Sequence, residues 1–83
     1  MVEHRSINDS ELFARLRSGN ITLAGNRRLR IYGRLDCASG KRTKRANRVF
    51  FESEAEAIRL AYRPCGHCMR EAYRDWKGQR DRR

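Results

Sequence analysis

Three sulfurs are the residues of this chain best suited to chemistry. Cys65-Gly66-His67-Cys68 forms a C-x2-C turn, a spacing that lets two thiolates converge on one ion while N–H groups of the turn point toward sulfur. The same spacing serves redox disulfides, so the pair alone leaves metal binding and thiol exchange both open. Cys37 is the third cysteine, and an odd count cannot pair fully. A Zn2+ ion held by Cys37, Cys65 and Cys68 is therefore the expectation. Zinc takes four donors, and the fourth is undetermined. His67 has the right ring, but a residue inside such a turn commonly points away from the ion; His4, Asp36 and an exogenous ligand are the others.

A second set of residues is basic. The segment 39–48 has no apolar periodicity and holds Lys41, Arg42, Lys44, Arg45 and Arg48, while Arg63 stands just before the C-x2-C turn. Such a loop can wrap phosphates, because cationic side chains supply charge and small residues let the backbone approach. Across the chain, 20 Lys and Arg against 10 Asp and Glu give a formal net charge of +10, which favours a polyanion, DNA first, over an acidic surface. The candidate nucleic-acid contacts are Arg42, Lys44, Arg45, Arg48 and Arg63. Incidental charge on a metal-binding protein-interaction domain is the rival explanation. No small-molecule substrate is evident.

These groups need a scaffold, and 83 residues bury too little surface for packing alone to stabilise one comfortably. A metal staple answers that need. Asn8, Asp9 or Ser10 caps a helix carrying Leu12, Phe13 and Leu16, with Gly19 as its stop. Ile21 to Leu23 are β-prone and Gly25-Asn26 reads as a turn. Leu29, Ile31 and Leu35 then alternate with Arg28, Arg30 and Arg34, predicting a hairpin with an arginine row on one face, closed by Tyr32 and Gly33. Val49 to Phe51 read as a short central strand. Ser53 with Glu56 is a capping box opening a helix through Ala55, Ile58 and Ala61, which Pro64 cannot continue. A last helix is expected over 69–77, with 78–83 frayed.

The expected fold is a small α+β domain spanning 1–83: an N-terminal helix, a three-stranded antiparallel sheet and two C-terminal helices around the C-x2-C turn. The first ten residues hold no apolar run, and no stretch is apolar over the roughly 20 residues of a membrane span. A cytoplasmic monomer is the expectation, and reducing cytosol favours thiolate ligation over a disulfide.

The pattern also resembles a known family. Asn47-Arg48-Val49-Phe50-Phe51, Glu56-Ala57 and Tyr62-Arg63-Pro64-Cys65-Gly66-His67-Cys68 are similar to the second half of the metal-binding domain of the Ada DNA-repair proteins. Ile31-Tyr32-Gly33-Arg34-Leu35-Asp36-Cys37 lies where that family has a strand ending in C-x3-C, so the resemblance covers 31–68. It implies a zinc site bridging a hairpin end and a helix start. It also implies repair chemistry, in which the first cysteine of C-x3-C takes a methyl group from a methylated DNA phosphate. Cys37 matches the second cysteine of that pair and Gly33 occupies the place of the first. The resemblance thus points to a divergent member that keeps zinc but lacks the methyl acceptor, and a non-enzymatic DNA-binding module is the first expectation. Methyl acceptance by Cys37, Cys65 or Cys68 is the alternative. Ala61 is a lesser departure, standing where relatives commonly have glycine.

Overall fold

The computed structural model describes residues 1–81. Its elements, in order, are β1 (Val2–Glu3), a 3-10 turn (His4–Ser6), α1 (Asp9–Ser18), β2 (Leu23–Asn26), β3 (Ile31–Arg34), α2 (Ala38–Lys41), a second 3-10 turn (Arg45–Asn47), β4 (Arg48–Phe51), α3 (Glu54–Arg59), β5 (Arg63–Pro64) and α4 (Arg70–Asp81). The sheet order is β1-β4-β2-β3-β5. The inner three strands are the expected antiparallel trio, and a two-residue strand extends each edge. β5 runs parallel to β3, so the sheet is mixed.

Strand alternation divides the core between the two faces. Ala24 and Phe50, opposite one another in the ladder, pack with Ile7, Leu12 and Ile21 under α1. Tyr32, Val49 and Phe51 point the other way and pack with Ala57 of α3 and with Tyr62. Period-two side-chain direction thus gives a 4-residue strand two buried faces, and β4 is accordingly apolar at Val49, Phe50 and Phe51.

The helices begin where their caps are. The Asn8 side chain accepts from Glu11 N–H at 2.8 Å, and α1 ends at Gly19 in the left-handed region. Leu12 is buried and Leu16 packs beside the core, but Phe13 is 60% exposed and forms no part of the expected stripe. The Ser53 hydroxyl accepts from Glu56 N–H at 3.2 Å, while Glu56 Oε1 accepts from Glu52 N–H at 2.8 Å, one residue earlier than in the standard box. α3 stops at Arg59, and Ala61 adopts φ 67° to turn the chain toward β5.

Two local expectations need correction. Gly25-Asn26 is strand, and the turn lies over 27–30. Gly25 is small because of a close approach: a Cβ there would come within 2.7 Å of Ile31 O and 2.8 Å of Phe51 Cε2. Asn26 Oδ1 accepts from the N–H groups of Arg28 and Leu29, and Arg30 closes the turn at φ 58°. Arg28 and Arg30 therefore leave the strand, and no arginine row lies along β3; Tyr32 and Gly33 are mid-strand. The last helix continues through Asp81, past the expected end at 77, and 82–83 lie outside the described residues. No described helix is long and apolar enough to cross a membrane.

Candidate metal centre

Parallel pairing of β5 with β3 puts the C-x2-C turn in place. Arg63 N–H donates to Arg30 O and Cys65 N–H to Tyr32 O, each at 2.8 Å, so Cys65 arrives beside Gly33. Met69 N–H then donates to Cys65 O and Tyr73 N–H to Met69 O, which leads the turn into α4. Pro64 suits this route because it needs no ladder donor at the sheet edge.

Cys37 reaches the same place from the other side. After β3 the chain doubles back, with Cys37 N–H donating to Arg34 O at 3.2 Å, and Cys37 becomes the N-cap of α2. Its sulfur lies 4.0 Å from that of Cys65. The three sulfurs of Cys37, Cys65 and Cys68 all lie within 4.8 Å of one another.

The electrostatics of this cluster suit a cation. Arg34 N–H, at the end of β3, donates to Cys68 Sγ at 3.3 Å, and His67 N–H donates to Cys65 Sγ at 3.4 Å. Burial alone would raise the Cys37 thiol. The N–H groups of Gly40 and Ser39 and the neighbouring Cys68 and Cys65 sulfurs outweigh it, and hold Cys37 below the ordinary thiol range. The opposite holds for Cys68: burial pushes its thiol up to about 11, the Arg34 N–H opposes the rise, and the Cys37 and Cys65 sulfurs add to it. Sulfurs this close resist joint ionisation unless a cation sits among them. A zinc ion about 2.3 Å from each thiolate would set S···S near 3.8 Å, close to the Cys37–Cys65 spacing of 4.0 Å. The donor set therefore fits zinc.

None of the three proposed protein candidates for a fourth donor joins the cluster. His67 is exposed and its Nδ1 lies 3.3 Å from Ser39 Oγ. Asp36 receives both Nε and Nη2 of Arg34 at 3.0 Å. His4 stacks edge-on against Phe50. At Gly33 a Cβ would come within 2.7 Å of Cys68 Sγ and 3.1 Å of Cys65 Cβ, so position 33 faces the sulfurs directly.

The basic residues divide into two groups. Arg42 and Lys44 are exposed on the segment that follows α2, and Arg45, also exposed, donates to Ile7 O at 2.9 Å and lies 3.7 Å from Asp9. Arg48 and Arg63 are half-buried. Arg48 lies over the Phe50 ring, and Arg63 packs over both Tyr73 and Trp76, 5.3 and 5.5 Å from their centroids. These two join the packing, as guanidinium groups do on aromatic faces. The sequence reading missed the N–H groups of Arg34, Ser39 and Gly40 at the sulfurs. The small run Ala38-Ser39-Gly40 directly after Cys37 was their available signal.

No curated protein and no solved structure matches the chain. A family model does, described as the metal binding domain of Ada, and it matches residues 17–71. That span exceeds half of the chain, takes in β2 through the start of α4, and contains all three clustered cysteines. The chain belongs to the family of Ada metal-binding domains, and its cofactor is zinc.

Proposed function

We propose that this domain is a non-enzymatic module that uses zinc on Cys37, Cys65 and Cys68 to fix a basic surface against a nucleic-acid backbone. The observation that carries the reading is the continuity between the cluster and the basic loop. Cys37 caps α2, and within eight residues the chain presents Arg42, Lys44 and Arg45, all exposed. When bound, zinc supplies a fixed cross-link among thiolates from three places in the chain. The rest is done by the polypeptide. The short α2 and the Arg45 bond to Ile7 O hold the loop between the metal centre and the N-terminal segment, so less ordering entropy opposes phosphate binding. Arg48 and Arg63 act by packing, each on its aromatic partners.

Methyl-group repair finds no support at position 33. Glycine has no sulfur there to attack a methyl carbon, and Cys37 is only 5% exposed. Incubation with methylphosphotriester DNA followed by intact-mass measurement is expected to leave the protein mass unchanged.

Binding to a labelled DNA duplex, followed by fluorescence anisotropy across a salt series, tests the main reading. Affinity is expected to fall steeply as salt rises, and R42A and K44A should each reduce the log–log slope by about 1 while weakening all sequences alike. An affinity indifferent to salt, or unchanged in the double variant, contradicts the proposal.

A further inference from the structure

Gly33 faces Cys68 and Cys65 and brings no donor of its own. It also lines a cleft of about 120 Å³ between the β2-β3 hairpin and the segment 37–43. Ala24, Leu29, Ile31 and Gly33 form much of its wall, and it reaches Cys37 and Cys65. Among the described residues Arg34 is the only charged one lining it, and both Nε and Nη2 of that guanidinium are already engaged by Asp36. The wall is mostly apolar.

Resting on the zinc reading above, we propose that this cleft admits a small free thiol whose sulfur completes the three-cysteine centre as its fourth donor. Three features select that chemistry. The existing donors are all sulfur, a soft set that favours another soft donor. The lining offers neither a carboxylate nor a free cation to hold a charged ligand body. The volume approaches that of an apolar cavity of roughly 150 Å³ that accepts benzene, so a short alkyl or aryl group fits where a peptide-sized one does not. On binding, the thiol releases its proton to solvent and donates a sulfur lone pair to the metal; no bond of the protein breaks and no electron is transferred.

Gly33 would be the residue that decides access. A Cβ there meets Cys68 Sγ, the end of a side chain that can rotate, and Cys65 Cβ, which is tied to the sheet. Alanine at 33 should therefore narrow the entry without adding a donor, and cysteine should supply the missing sulfur from within.

The test uses the full chain loaded with one equivalent of Co2+, whose thiolate-to-metal charge-transfer band reports the number of bound sulfurs. Ethanethiol is expected to raise that band by about one third, the step from three thiolates to four. Imidazole, acetate and the bulkier glutathione should leave it unchanged at the same concentration. G33C should show the four-sulfur band without added thiol and respond to none, and G33A should keep the three-sulfur band while binding ethanethiol at least about tenfold more weakly. A wild-type band indifferent to ethanethiol, or an equal response to glutathione or imidazole, overturns the proposal and leaves zinc binding standing. Failure of the wild type to take up cobalt overturns both.

Discussion

His4 shows how a neighbourhood changes a single residue. Its ring lies edge-on against Phe50, its Nδ1 is buried without a hydrogen-bond partner among the described residues, and two guanidinium groups stand nearby. Burial lowers its pKa below the ordinary 6.5, the Arg45 and Arg48 cations lower it further, and Asp9 opposes them. A histidine whose folded pKa is depressed contributes stability above its unfolded pKa, and that stability is lost as pH falls through the folded value. An NMR titration of the imidazole should place His4 below 6.5, and unfolding at mildly acidic pH should be eased by this group. A midpoint at or above 6.5 would show that the ring is solvated or paired. At the same scale, the cysteines were legible in the sequence because few side chains hold zinc and their spacing survives folding. The packing of Arg48 over Phe50 was not, because a guanidinium on a phosphate and one on an aromatic ring look identical in sequence.

At the scale of elements, caps were easier to read than strand ends. Asn8, Gly19 and Ser53 each sit where local hydrogen bonding demands them. The hairpin turn was misplaced because Gly25-Asn26 has turn composition, while the actual cause of Gly25 is the nearness of Ile31 and Phe51 from other strands. Two-residue strands such as β1 and β5 are too short to show any periodicity, yet β5 is what carries Cys65 to Gly33. The end of α3 offers a direct test. Ala61 sits at φ 67°, a conformation that a Cβ disfavours, and its N–H donates to Ile58 O to close the helix. A61G should stabilise the domain by about 1 kcal/mol, read from denaturant unfolding of the zinc-loaded protein. A loss of stability would mean that the alanine methyl packs to greater effect than the backbone strain.

For the molecule as a whole, the question is what holds so short a chain together. Its core is split into two modest clusters on opposite faces of the sheet, and among the described residues no charged or polar one is buried to strengthen either. The β3-β5 edge rests on a two-residue parallel pairing, which alone contributes little. The three sulfurs join the turn after β3, the end of β5 and the start of α4 at that edge. Metal binding is therefore coupled to folding, since the unfolded chain has no preformed site. Native mass spectrometry with parallel thermal unfolding, before and after a chelator strong enough to strip zinc, tests this coupling most directly. One zinc per chain should be found, and its removal should lower Tm markedly, with C37S, C65S and C68S each reproducing the loss. Zinc-free protein of unchanged Tm, or full zinc occupancy in C37S, would contradict the account.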